Sequence, residues 1–205
     1  MSRLNTYLRA FATIAIMAAL FGCSGPELQP IPEDGIILAF GDSLTVGVGT
    51  TDENSYPTVL AELTGLTVIN AGVSGETTDE GVSRLIEELD DFLPDLVIIL
   101  EGGNDFLQNR NPSATKTNLQ RMIETAKSRG VQVVLIGVPQ KKLFSKSAPL
   151  YEELADDFQL VFDGTLLGGL LRSPSLKSDY THLNEKGYRK MAESINKLLK
   201  ENGAL

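Results

Sequence analysis

Ile36-Ile37-Leu38-Ala39-Phe40-Gly41-Asp42-Ser43-Leu44 is the stretch on which the fold turns. Residues 36–40 are apolar without a break, as expected of a strand buried on both faces, and Gly41-Asp42-Ser43 is turn chemistry. A buried strand that stops at small polar residues is the repeating unit of open α/β sheets. Such sheets keep their chemistry at the carboxyl ends of the strands, which is where Ser43 falls.

The unit recurs down the chain. Apolar runs at 66–69 and 96–100 stop at Asn70-Ala71-Gly72-Val73-Ser74-Gly75 and Glu101-Gly102-Gly103-Asn104-Asp105, and further runs lie at 131–138 and 160–162. Helical spacing fills the intervals. Residues 54–64 carry Pro57 early and Gly65 as a stop. Residues 77–92 set Val82, Leu85, Ile86 and Leu89 on one face, and a helix from Ser113 to the stop at Gly130 sets Leu119, Met122, Ile123 and Ala126 on another. A further helix is expected at 151–158. The last, capped by Asn184, shows Tyr188, Met191, Ala192, Ile195 and Leu199. Strands alternating with helices predict a three-layer α/β/α domain over residues 35–205, with a five-stranded parallel sheet covered on both sides.

The chain has 205 residues, with 27 acidic against 18 basic side chains and a net charge of −9. Arg3 and Arg9 fall in the first 22 residues, so the remainder of the chain sits near −11, with 16 basic residues against 27 acidic. That charge repels phosphate backbones and anionic lipid surfaces in general, and no nucleic-acid partner is expected. Cys23 is the single cysteine and His182 the single histidine. An intrachain disulfide is therefore excluded, and a structural zinc site has no ligand cluster.

Residues 1–22 have the form of a signal peptide, with Arg3 and Arg9 ahead of an uncharged, mostly apolar run too short to cross a bilayer. Leu20-Phe21-Gly22-Cys23 resembles a bacterial lipobox, with Cys23 in the place of the lipid-bearing residue. Phe21 is a less usual residue at its position. Residues 23–34, with Pro26, Pro30 and Pro32, are expected to be a tether. The expected location is the cell envelope, held through lipid at the membrane and facing the periplasm or the exterior.

Ser43 needs a base to act as a nucleophile, and His182 is the imidazole available. Asp179, three residues earlier, is close enough to orient the ring. At these residues the sequence resembles the SGNH or GDSL hydrolases, from about residue 36 to the end. Gly41-Asp42-Ser43-Leu44, Asn70 through Gly75, Gly103-Asn104-Asp105, and Asp179 with His182 stand in the family's order. The resemblance is greatest to its bacterial thioesterase, lysophospholipase and arylesterase branch. Leu183 departs from the proline usual there.

The resemblance implies a flavodoxin-like fold with a Ser43–His182–Asp179 triad. Its oxyanion would be met by the Ser43 N–H, the Gly72 N–H and the Asn104 side-chain amide, and the reaction needs no metal or cofactor. The expected partner is a small acyl, aryl or lysophospholipid ester or thioester, and the sequence leaves the oligomeric state open, a monomer being compatible with it. Asp42 and Asp105 are expected to bond backbone N–H groups in their turns, and Glu101 has no assigned role. Two other readings compete. One is a carbohydrate O-deacetylase on the same site, against which the apolar Phe106-Leu107 and residues 166–171 speak. The other is a non-catalytic lipoprotein that binds acylated ligands.

Overall fold

The computed structural model describes residues 25–140 and 146–205. The leader at 1–22 and Cys23 lie outside the described residues.

Five strands form one parallel sheet: β1 (Ile36–Gly41), β2 (Thr67–Gly72), β3 (Leu96–Leu100), β4 (Gln132–Ile136) and β5 (Val161–Asp163), in the order β2-β1-β3-β4-β5. Every residue of β3, and Ile37 through Phe40 of β1, is buried, which is why these two read as unbroken apolar runs. Chain order reverses direction between β1 and β3. The gap beyond their carboxyl ends is the switch point at which such sheets bind ligands.

The long helices are α2 (Tyr56–Thr64), α3 (Thr78–Phe92), α5 (Pro112–Ser128), α6 (Pro149–Phe158) and α8 (Glu185–Glu201). Their ends follow local chemistry. Thr77 and Glu80 form a reciprocal capping box on α3. Asn111 caps α5, and Asn184 caps α8 by accepting from the Gly187 N–H at 3.1 Å. Gly65 closes α2 in the left-handed region. Three short helices were not legible as periodic segments: α1 (Ser43–Val46), α4 (Gly103–Leu107) and α7 (Leu166–Leu171). None is long enough to show a repeat.

Two expectations are corrected. Asn70, Ala71 and Gly72 are not a turn; they continue β2, paired with Ala39, Phe40 and Gly41 of β1. The ladder to β1 carries the strand past residues whose local preference is to bend. The second correction concerns the tether. Leu28 is buried, its N–H donates to Asn202 O at 2.8 Å, and the Ile31 N–H donates to Ala204 O at 2.9 Å. Gln29 and Gln132 exchange hydrogen bonds of 2.6 and 2.9 Å. Burying one leucine is worth about 1.5–3 kcal/mol, enough with these bonds to hold residues 28–31 on the domain. Gln132 begins β4, so this strap lies at the amino edge of the sheet.

Candidate active site

Ser43 opens α1 directly after β1. Asp42 caps that helix through a 3.0 Å hydrogen bond from the Leu44 N–H, which turns the chain sharply enough to leave Ser43 at the strand end. His182 and Asp179 come from the far end of the chain, in a loop closed by a bridge between Lys177 and Leu183 and by a 3.1 Å bond from the Ser178 N–H to His182 O. Asn184 Nδ2 donates to Ser175 O and Lys177 O, stitching the base of the loop. Leu183 is wholly buried, so burial secures the position where proline is more usual.

Asp179 Oδ1 accepts the N–H groups of Thr181 and His182, each at 2.8 Å. Its Oδ2 lies 2.7 Å from His182 Nδ1, and His182 Nε2 lies 3.0 Å from Ser43 Oγ. The imidazole bond, followed by the two N–H groups, holds the Asp179 carboxyl well below the ordinary carboxylate range despite the opposing cost of desolvation. The Asp179 side chain is 54% exposed, whereas that of His182 is 21% exposed; water reaches the carboxylate more freely than the ring. Asp42, by contrast, is pushed up to about 6, chiefly by burial, against the Leu44 N–H and the nearby His182.

Asn104, in α4, donates through Nδ2 to Glu76 O at 2.7 Å, with a longer contact to Asp42 Oδ2 at 3.4 Å. It shares the crevice with Ser43 and His182. Gly72 does not line this crevice. Its N–H donates to Asn70 Oδ1 at 3.1 Å, and it packs against the backbone of Thr45 and Val46 in α1. The residues after β2 that reach the crevice are Ser74 and Gly75. They occupy the middle of a turn closed by a 3.2 Å bond from the Glu76 N–H to Val73 O, with Gly75 at φ 85°. A left-handed third residue defines a type II turn and favours glycine. The Ser43 and Gly75 N–H groups have no hydrogen-bond partner among the described residues. Reading the strand as ending at Ile69 points to Gly72; the structure brings Ser74 and Gly75 of the following Ser-Gly-Glu turn to the crevice instead.

Asp105 is buried and bonds not its own turn but the start of α3, accepting the Thr78 N–H at 2.9 Å and the Thr78 hydroxyl at 2.6 Å. The crevice holds about 240 Å³, and its apolar lining includes Phe106, Leu107, Val138, Pro139, Leu167 and Leu171. Among the described residues no cluster of three or more His, Cys, Asp and Glu side chains is arranged to hold a metal ion.

A hydroxyl, an imidazole and a carboxylate linked in sequence are the groups acyl transfer employs. On this fold they place the chain among the serine-type ester hydrolases. Residues 39–190 match the GDSL-like Lipase/Acylhydrolase family, and the chain belongs to that family. An arylesterase of Vibrio mimicus is 34% identical over 153 residues, which make up 70% of this chain and 76% of the relative. The lipoprotein YqeF of Bacillus subtilis is 30% identical over 129 residues, 56% of this chain and half the length of the relative. The crystal structure of the esterase EstA from Pseudoalteromonas sp., inhibited by monoethylphosphonate, superimposes with a TM-score of 0.72 at 22% identity, covering 82% of this chain and 98% of EstA; that likeness is one of fold. The chain is an ester hydrolase of the SGNH type.

Proposed function

We propose that the chain hydrolyses esters or thioesters of a single short acyl or aryl group through an acyl-enzyme on Ser43. The observation that carries this is the 3.0 Å approach of His182 Nε2 to Ser43 Oγ, with Asp179 at 2.7 Å on the other ring nitrogen. Ser43 Oγ attacks the acyl carbon and passes its proton to His182 Nε2. The resulting oxyanion is met by the N–H groups of Ser43 and Gly75 and by Asn104 Nδ2, which its bond to Glu76 O already orients. Collapse expels the alcohol or thiol, which takes the proton from His182. Water then adds to the acyl-serine by the same route and releases the acid. Asp179 keeps the proton on Nδ1 and stabilises the imidazolium.

The apolar wall favours a hydrocarbon or aromatic acyl group over a sugar. The volume of about 240 Å³ falls below the roughly 300–1,000 Å³ of clefts for drug-sized ligands, hence a short group. Fluorophosphonate labelling and turnover of p-nitrophenyl butyrate test the assignment. Ser43→Ala should lose both, and a variant that keeps either sinks it.

We further propose that residues 1–22 form a leader and that Cys23 carries lipid, which would place the domain on a membrane of the bacterial envelope. The lipobox-like residues support this, as does the lipoprotein relative. With residues 28–31 docked, only residues 24–27 would link lipid to domain. Mass spectrometry of the membrane-extracted protein should find acylated Cys23, and Cys23→Ser should block lipidation and normal lipoprotein processing without loss of esterase turnover. An unmodified Cys23 refutes the anchor alone.

A further inference from the structure

Four carboxyl groups are buried at and around the crevice among the described residues: Asp42, Glu76, Glu101 and Asp105, with residual exposures of 5, 5, 0 and 2%. Three of them have donors suited to a charge. Asp105 takes the Thr78 N–H, the Thr78 hydroxyl and, at 3.0 Å, the Thr115 hydroxyl. Glu76 takes Arg84, with Nε at 2.7 Å from Oε1 and a second guanidinium nitrogen on Oε2. Asp42 takes the Leu44 N–H and lies near His182.

Glu101 is different. Its Oε2 accepts the Gly102 N–H at 3.1 Å, while its Oε1 is buried without a hydrogen-bond partner among the described residues. The Glu76 carboxyl is a neighbour of the Glu101 carboxyl. Two ionised carboxylates meeting out of water, with one oxygen unserved, is a costly arrangement. One proton removes both faults, because a protonated Oε1 becomes a donor and the Glu76 carboxylate an acceptor.

We propose that Glu101 is a positioning residue for the oxyanion donors, held as a neutral acid whose Oε1–H bonds the Glu76 carboxylate, and that its ionisation loosens those donors. The proposal rests on the oxyanion roles proposed for Gly75 and Asn104. Glu76 connects them: it follows Gly75 in the turn, and its carbonyl accepts Asn104 Nδ2 at 2.7 Å. Arg84 extends the connection to the other strands, donating to Ala71 O at 3.0 Å and Gly41 O at 3.4 Å and stacking 4.0 Å from the Phe40 ring. Glu101 closes it from the end of β3. The ends of β1, β2 and β3, which carry Ser43, Gly75 and Asn104, thus meet at one buried cluster.

Three titratable groups stand around Glu101 among the described residues: Asp42 from the β1–α1 turn, Glu76 from the β2–α3 turn, and Tyr151 from α6, whose hydroxyl donates to Glu101 O at 2.6 Å; Glu76 is itself paired with Arg84, which also binds Glu88, and Asp105 lies near Tyr151. Loss of water, followed by the charges of Asp42 and Glu76, raises the Glu101 carboxyl well above its ordinary range. The same burial raises the Tyr151 phenol, so Tyr151 stays neutral while Glu101 titrates. The proton is therefore held through the ordinary carboxylate range and is lost only as pH rises through the raised value.

Two measurements test this on the full chain. The first is kcat and KM for p-nitrophenyl butyrate from pH 6 to 10 in wild type and Glu101→Gln, whose amide N–H can replace the Oε1–H and cannot ionise. Expected is a kcat within about threefold of wild type at neutral pH, and loss of an alkaline decline in kcat that leaves the wild-type KM unchanged. An identical alkaline limb in both proteins, or a KM effect in place of kcat, overturns the proposal. The second is infrared difference spectroscopy on Ser43→Ala, which reads the protonated carboxylic acid without turnover. The acid band should be present at neutral pH, bleach on raising the pH, and vanish in Ser43→Ala/Glu101→Gln. A band that is absent, or that survives Glu101→Gln, overturns the assignment whatever the esterase activity, whereas turnover retained by Ser43→Ala would instead sink the nucleophile assignment.

Discussion

Gly72→Ala separates the two glycines at the β2 end. A Cβ on Gly72 would stand 2.8 Å from Thr45 C and 3.0 Å from Val46 Cα, and nearer still to Val46 N. Ordinary contact begins at 3.4 Å, so Thr45 C alone demands a shift of 0.6 Å and Val46 N demands more. All three atoms are backbone, so no side chain can swing aside. Either α1 moves or the β2 end leaves its register opposite Gly41. In the first case Ser43 travels with α1, whose whole length is Ser43–Val46. A displacement approaching 1 Å from the attacking geometry costs about 10²-fold, or roughly 2.7 kcal/mol of barrier. Overpacking should also lower stability by about 1–3 kcal/mol. The assay is kcat/KM on p-nitrophenyl butyrate, the rate of fluorophosphonate labelling, and Tm. Gly75→Ala is the comparison: its Cβ meets open space, and the penalty there is the left-handed φ of 85°, about 1–2 kcal/mol. Gly72→Ala with kcat/KM within threefold of wild type and an unchanged Tm would refute the packing argument.

Asn104→Ala should lower kcat by about 10²–10³ with little change in KM, since removal of one oxyanion donor acts on the transition state; steady-state kinetics showing a pure KM effect would contradict it. Asp179→Asn should place the wrong tautomer on His182, and because the carboxylate is 54% exposed the loss in kcat should fall short of the ~10⁴ seen for a buried counterpart. Asp179 is also a stability term of known sign. Its folded value is depressed, so its contribution is present above the ordinary carboxylate range, near about 3.9, and is lost as pH falls through the folded value. The Tm gap between wild type and Asp179→Asn should therefore persist at neutral pH and close in acid; a gap independent of pH would show that the carboxylate charge is not its source.

How legible each part was in the sequence depends on how that part is stabilised. β1 and β3 announce themselves because both faces are buried, so every residue from Leu96 to Leu100 had to be apolar. The long helices show because one stripe faces the sheet. Thr67–Gly72 was harder: at the sheet edge its burial is partial and irregular, and its last three residues are turn formers held straight by pairing with β1. For that reason the sequence draws attention to Gly72, while the turn that reaches the crevice lies at Ser74 and Gly75. Ser43, Asp179 and His182 stood out by residue type and position, but 139 positions separate His182 from Ser43, and only the folded chain gives their distance. The bonds of Leu28 and Ile31 to the last residues of the chain are likewise non-local, and proline content alone reads as a tether. The Glu76–Glu101 contact joins two turns, each unremarkable by itself.

The strap has a geometric corollary. It lies where the strands begin, and Ser43 lies where they end, so roughly one strand length, about 16 Å for a run the size of β4, separates the two. A chain moored to a bilayer just upstream of Leu28 would be mounted by its back, with four residues of slack, about 14 Å at full stretch, to swing on. Its mouth would open toward the surrounding fluid, and it would sample solutes arriving from that side in preference to the lipids beneath it.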